Sequence, residues 1–370
     1  MHILIIANNG GGLLNFRQEV VRALLDCGNR VTVAIPRSDR DDEIRQLGCE
    51  VVNIEISRRG TNPITDINLT LQYIKLIRHC QPNVVLTYTI KPNIYGGLAC
   101  RITHTPYIAN ITGLGSAVEN GGILQKITAV LYRIGLKKAS CIFFQNRGNY
   151  NFFNKNIFQC SLGRLIPGSG ANLKKFSAKP FPTQHPTIFL FISRIMKEKG
   201  IDDFLAAAKH FKQSGDKDVE FHVIGMCEEN YVKILNDLHE NGIIVYHGRQ
   251  KDVRPFIEKA SCLIHPTFYP EGMSNVILEA ASTGRPVITT RRYGCMEAVD
   301  ENVTGFLFEE RNRQELFQAI EKFLKMSCSQ QADMGAMGRK KMEKEFDRQI
   351  VVDAYLDEIS KITNKDNTQI

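Results

Sequence analysis

The chain has 370 residues, 43% of them hydrophobic and 23% charged, and a formal net charge of +8, which leaves room for two substantial soluble domains and a large buried core. No run approaches the roughly 18 apolar residues of a membrane-spanning helix, residues 2–7 lack the basic leader of a secretion signal, and the ten cysteines follow neither a metal-ligand spacing nor a compact disulfide framework, so they read as reduced and cytosolic. The charge is uneven: residues 1–175 hold 21 Lys/Arg against 10 Asp/Glu, and residues 120–197 hold 12 basic residues and no acid, which points to an anionic neighbour.

In chain order, apolar runs at 3–7, 30–35, 51–54 and 84–88 alternate with amphipathic stretches at 15–27, 41–47 and 69–79. That rhythm predicts parallel strands covered by helices. Asn9-Gly10-Gly11-Gly12 follows the first strand and precedes the helix begun by Asn15-Phe16-Arg17, so it reads as a loop whose backbone can approach a phosphate or sugar. It does not spell Gly-x-Gly-x-x-Gly, which weighs against a nicotinamide enzyme.

Further on, Lys126, Arg133, Lys137 and Lys138 lie near Ile127, Val130, Leu131 and Ile134. They predict a basic amphipathic helix that either rests on an anionic membrane or packs into the first lobe. Zinc-finger spacing, RNA-recognition signatures and aromatic/basic alternation are missing, which counts against nucleic acid as the partner. Pro167-Gly-Ser-Gly170 and the proline-bearing stretch 179–186 read as a linker. The alternation then resumes, with strands at 188–192, 219–224, 243–246 and 262–265 and helices at 201–213 and 231–240. Residues 333–361 predict a helix and the polar residues 363–370 a frayed tail.

Glu271-Gly-Met-Ser-Asn-Val-Ile-Leu-Glu279 carries the sharpest chemistry. Gly272, Ser274 and Asn275 are loop and N-cap types ahead of a buried helix, whose free N–H groups and dipole attract diphosphate. At about 1.5 Å per helical residue the two carboxylates stand on the order of 12 Å apart, so one can hold sugar hydroxyls and the other ribose hydroxyls. Upstream, the strand-like Phe189-Leu-Phe-Ile-Ser-Arg194 and then Lys197-Glu-Lys199-Gly200 deliver cations that can grip phosphate.

Together these elements resemble the donor site of retaining family-4 glycosyltransferases. The resemblance implies an α/β protein of GT-B architecture, two doubly wound Rossmann-like domains facing a central cleft. It implies domains at 1–175 for the acceptor and 176–345 for the nucleotide sugar, with the helix from 346 returning to the first domain. It implies hexosyl transfer in which Arg194, Lys199 and Glu271 act at the reacting centre, while Gly11, Gly12, Gly225, Arg249, Met273, Ser274, Asn275 and Glu279 bind a UDP-sugar. No metal or other cofactor is implied.

A narrower resemblance, to bacterial N-acetylgalactosaminyltransferases that extend undecaprenyl-diphosphate-linked diacetylbacillosamine, rests on several short motifs. These are Glu55-Ile-Ser-Arg58, Asn62-Pro63, Lys91-x-Asn93-x-Tyr95-Gly96, Gly113-Leu-Gly-Ser116 and Asn172-Leu-Lys-Lys-Phe176. It implies a lipid-diphosphate-linked saccharide as acceptor, contacted by Asn15, Arg17, Arg58, Lys91 and Thr112, at the cytosolic membrane face; Arg59 is a further candidate. Family members often carry a histidine in the first-lobe site, but residues 110–116 contain none, and His104, just before Pro106, reads as a loop residue. A nucleotide-sugar epimerase and a non-enzymatic polyanion binder are the alternatives.

Overall fold

The computed structural model describes residues 1–56, 62–114, 121–183, 185–213 and 218–367. Arg58, Arg59 and Ser116 lie outside them. The chain forms two compact units, the first holding Met1–Ser169, Pro270–Met273 and Arg348–Ile370, the second Gly170–Tyr269 and Ser274–Asp347.

In the first unit the strands are β1 (His2–Ile6), β2 (Arg30–Ile35), β3 (Glu50–Asn53), β4 (Val84–Tyr88), β5 (Tyr107–Ile111), β6 (Cys141–Phe144) and β7 (Gly163–Leu165). Among the described residues they form one parallel sheet ordered β3-β2-β1-β4-β5-β6-β7. Helices cover both faces, so the inner strands are mainly apolar on both sides: Leu4 and Ile6 enter one core cluster, Ile3 and Ile5 the other. The order reverses between β1 and β4, whose register pairs Ile6 with Thr87. Loops leaving neighbouring strands at such a switch point diverge and leave a crevice for ligand. The terminal helix Arg348–Asn367 contributes Val351, Val352, Tyr355 and Ile359 to the second of these clusters.

Three sequence expectations are corrected. The first helix runs Gly10–Asp26, so the glycines form its first turn and not a loop. The Asn9 side chain accepts the Gly11 N–H at 2.9 Å, a cap that offsets the poor helix propensity of three glycines. The helix expected over 333–361 is two, Cys328–Glu345 and Arg348–Asn367. The chain breaks where the Ala171 N–H donates to the Phe346 carbonyl at 2.6 Å and Ala171 bridges to Asp347, a long-range pairing that local periodicity does not encode. The last helix also reaches Asn367, so the chain is not frayed from 363.

The second unit holds β8 (Thr187–Ile192), β9 (Val219–Ile224), β10 (Val245–Tyr246), β11 (Cys262–His265), β12 (Val287–Thr290) and β13 (Gly305–Phe308). Among the described residues these form a parallel sheet ordered β10-β9-β8-β11-β12-β13. Its core is aromatic, with Phe189 and Phe221 stacked at 5.4 Å between centroids and Phe204, Phe211 and Phe323 around them. β10 is shorter than its apolar run because Ile243 and Ile244 donate back to the Leu238 carbonyl and close the preceding helix. This sheet reverses between β8 and β11.

Candidate functional site

At the switch point of the second unit, β8 ends just ahead of Ser193-Arg194 and β11 just ahead of Pro266–Tyr269. Backbone bonds tie the two exits together: the Phe268 N–H donates to the Glu198 carbonyl at 2.9 Å, and the Thr267 hydroxyl donates to the same oxygen at 3.3 Å. Tyr269 thereby lies under both cations, its ring centroid 5.1 Å from the Arg194 guanidinium and 4.5 Å from the Lys199 ammonium. Such contacts attract a cation to the ring face. Arg194 also pairs with Glu228 at 2.9 Å. Burial alone disfavours its charge, but the Tyr269 hydroxyl and the Glu228 carboxylate outweigh that and raise its pKa above the ordinary guanidinium value. Lys199 is only 7% exposed.

Beneath them His265, 1% exposed, has its pKa far below the ordinary imidazole value through burial first and the Lys199 charge second, so the ring is neutral. Its Nε2 lies 3.0 Å from the Ser274 hydroxyl. Ser274 is the N-cap of the helix Asn275–Ser282, yet its side chain makes no capping bond because the hydroxyl is turned to His265. The first N–H groups of that helix are thus left without the side-chain partner its sequence suggested. Gly225 and Arg249 come together at the ends of β9 and β10, where the Gly225 N–H donates to the Gly248 carbonyl at 2.9 Å, and Arg249 is exposed. A Cβ on Gly225 would overlap the Ser193 carbonyl, so packing alone already requires glycine there.

Glu271 and Glu279 are not joined by a continuous helix. The helix starts only at Asn275, and Pro270–Met273 belongs to the first unit whereas Glu279 belongs to the second, so a separation computed from helical rise does not apply. Within the first unit the Asn146 amide donates to the Gly272 carbonyl at 2.6 Å and the Glu271 carbonyl at 3.1 Å. A Cβ on Gly272 would overlap the Thr112 carbonyl. Thr112, half-buried Glu271 and buried Met273 are thereby brought into one neighbourhood at the end of β5.

The remaining first-unit candidates sit at or near the β1/β4 switch point. A side chain at Gly11 would meet Asn9 at 3.3 Å and Arg40 at 3.7 Å, whereas one at Gly12 would meet only Asn9 at 4.0 Å, so the protein's own packing leaves space above Gly12. Asn15 accepts from Arg40 at 3.1 Å. Arg17 is buried with its guanidinium 5.6 Å from the Tyr88 ring. Lys91 is not a free cation, because its ammonium lies 2.6 Å from Asp66, which also accepts from the Tyr95 hydroxyl at 2.7 Å. Burial, and then that bond to a carboxylate, raise the Tyr95 pKa. His104 occupies a left-handed C-cap and is exposed.

Residues 2–146 match the family model described as Glycosyl transferase 4-like, and residues 186–326 match Glycosyl transferases group 1, so the two together span most of the chain. The chain is a glycosyltransferase of the 4-like and group 1 families. It is 24% identical to the N,N'-diacetylbacillosaminyl-diphospho-undecaprenol alpha-1,3-N-acetylgalactosaminyltransferase of Campylobacter jejuni, over 96% of this chain and 97% of that protein. It is 23% identical to the UDP-Gal:alpha-D-GlcNAc-diphosphoundecaprenol alpha-1,3-galactosyltransferase of Escherichia coli, over 68% of each. The solved structure of HepE from Anabaena in complex with UDP and glucose shares its fold, with a TM-score of 0.80, 18% identity and coverage of 98% of this chain and 100% of that one. Two doubly wound parallel sheets are therefore the GT-B glycosyltransferase fold.

For a glycosyltransferase of this fold, three residues the sequence did not single out stand beside the candidates: Tyr269 under both cations, Glu228 on Arg194, and Asn146 on the Glu271 backbone. Tyr269 lies two residues before Glu271, a signal available from the motif itself. Glu228 and Asn146 act across 34 and 125 residues, a distance at which no local pattern speaks.

Proposed function

We propose that this glycosyltransferase is a hexosyltransferase that moves an N-acetylhexosamine, such as GalNAc, from a UDP-sugar to a polyprenyl-diphosphate-linked saccharide in bacterial glycan assembly. Retention of anomeric configuration is part of the proposal. The observation that carries the donor half is the pair of cations, Arg194 and Lys199, collected over one Tyr269 ring at the switch point of the second sheet. The relatives' names support the acceptor half, since both act on diphospho-undecaprenol sugars.

In this scheme the bond from the anomeric carbon to the UDP oxygen breaks while a bond to the acceptor hydroxyl forms on the same face, and the hydroxyl proton passes to the departing diphosphate. Arg194, Lys199 and the dipole of the helix starting at Asn275 stabilise the charge that grows on that diphosphate, a role a divalent metal fills elsewhere. Glu271 positions the sugar, Glu279 the ribose. Gly11 and Gly12 give the diphosphate access to backbone, and Gly225 and Arg249 face the nucleoside. Asn15, Arg17, Lys91 and Thr112 serve the acceptor, with Lys91 sharing its charge with Asp66.

An anionic bilayer is the proposed second partner, at the cytosolic face. Among the described residues no helix is long and apolar enough to cross a membrane. Instead the helices Pro63–Cys80 and Gly122–Leu136 leave large apolar side chains in solvent: Ile64 76%, Ile67 63%, Leu71 51%, Ile123 79%, Ile127 51% and Val130 56% exposed. The one carboxylate on their described residues, Asp66, is buried and paired, while Lys75, Arg78 and Lys126 are exposed. An acid-free apolar and basic face suits an anionic headgroup layer. Arg133 is exposed as well, with only its Nε donating to the Ile157 carbonyl.

Replacing Lys126, Lys137 and Lys138 by Gln should weaken binding to anionic liposomes by about 3 kcal/mol, in a salt-dependent way. Unchanged, salt-insensitive binding would sink the membrane partner. For the reaction, UDP release that needs a short-chain lipid-diphosphate saccharide supports transfer. A sugar altered without acceptor would mark an epimerase, and neither outcome would mark a binder.

A further inference from the structure

Thr89 follows β4 with φ at +75°, a backbone that β-branched residues rarely accept and that persists where surrounding structure enforces it. Its hydroxyl oxygen is shielded from solvent and has no hydrogen-bond partner among the described residues. Several polar groups near it are committed elsewhere. The Thr89 carbonyl accepts the Asn93 N–H at 3.0 Å and opens the π-helical turn Pro92–Gly96. Lys91 and Tyr95 are spent on Asp66, and Thr87 donates to Asn93 at 2.7 Å. A strained, unpartnered hydroxyl whose polar neighbours Thr87, Lys91 and Tyr95 are committed elsewhere calls for a partner.

The preceding residue, Tyr88, carries the Arg17 guanidinium 5.6 Å from its ring. Arg17 is 4% exposed, spends Nη1 on the Phe16 carbonyl at 2.9 Å, and leaves Nε without a partner among the described residues. No carboxylate pairs with it there. A buried cation without a counter-charge is costly unless an anion arrives to neutralise it. Because Ile6 pairs with Thr87, Thr89 sits where the chain leaves β4 at the switch point of the first sheet, and Arg17 reaches the neighbouring Tyr88 from the helix that follows β1.

We infer that Thr89 is a substrate-binding residue of the first unit, whose hydroxyl donates to a phosphate oxygen that Arg17 neutralises. The inference rests on the proposed reaction, in which donor and acceptor both carry a diphosphate, and either could supply the oxygen. The backbone strain fixes the hydroxyl where that oxygen binds, and the substrate's binding energy offsets its cost.

The test is Thr89→Gly beside Thr89→Ser. Glycine takes the same backbone freely and removes the hydroxyl, so its melting temperature should equal or exceed wild type. Its kcat/KM should fall by about tenfold or more, while the serine variant stays within about threefold. Varying UDP-sugar and acceptor separately identifies the source of the oxygen as the substrate whose KM rises. A glycine variant as active as wild type would overturn the inference. Should the wild type not use a lipid-linked acceptor, the proposed reaction fails on its own, and the hydroxyl is then judged by the rise in melting temperature that UDP or a short-chain polyprenyl diphosphate produces. A rise lost with one ligand in the glycine variant upholds the inference, and rises equal to wild type with both overturn it.

Discussion

Replacing Tyr269 with leucine leaves Arg194 and Lys199 in place but removes the surface that collects them. The ring lies 5.1 Å from one cation and 4.5 Å from the other. Cation–π contacts contribute roughly 0.5–1 kcal/mol when exposed and about 2 when desolvated. Arg194 is half-exposed while Lys199 is nearly buried, so a combined loss of about 2 kcal/mol is reasonable, equivalent to roughly 30-fold in rate. The loss should appear in kcat, because both charges matter most as the diphosphate departs. Tyr269→Phe keeps the ring but removes the hydroxyl that supports the Arg194 charge, so its rate should fall between those of wild type and the leucine variant. The assay is UDP release at saturating donor and acceptor, with melting temperatures measured alongside to separate misfolding from misplacement. A leucine variant that folds and turns over within twofold of wild type would refute the idea that the ring stations the two cations.

Arg194→Ala and Lys199→Ala should each reduce turnover by about 3 kcal/mol, or some 100-fold, with the fold intact; near-normal rates with both substrates saturating would remove them from the reaction. Gly272→Ala should destabilise the first unit, since the new Cβ overlaps the Thr112 carbonyl, by about 1–3 kcal/mol in denaturant unfolding. His265 is held neutral in the folded protein, so below about pH 6.5 the unfolded chain binds the extra proton. Stability is therefore full above that pH and falls as the pH drops. Stability should decline between about pH 7.5 and 5.5, and His265→Asn should flatten that dependence.

The parallel strands were legible because burial leaves largely apolar runs: Arg30–Ile35, Val84–Tyr88 and Cys262–His265 stand where those runs predict, and Val219–Ile224 where apolar residues alternate with Glu220 and His222. Helix ends were less legible. Asn9 converts a glycine tract into a helical turn through a single side-chain bond, and Ala171 splits a long amphipathic stretch through a partner 175 residues away. The site shows the same division. Arg194, Lys199 and Ser274 were visible as charges and cap types on predicted elements, but what each touches was not. Ser274 turns to His265 and away from its helix, and Lys91 meets Asp66. The Glu271 to Glu279 spacing misled because regular helical rise was assumed across four residues that the first unit holds in place. Thr89 carries no sequence signal, since a positive φ at threonine follows from tertiary constraint alone.

The central claim is transfer from a UDP-sugar to a lipid-diphosphate saccharide, and the most direct measurement is UDP release by the purified protein from UDP-N-acetylhexosamines with and without a short-chain polyprenyl-diphosphate saccharide. The account predicts release that depends on the acceptor and yields a product longer by one sugar in the same anomeric configuration as the donor. Acceptor-independent conversion of the donor sugar, or transfer only to acceptors lacking the lipid diphosphate, would contradict it.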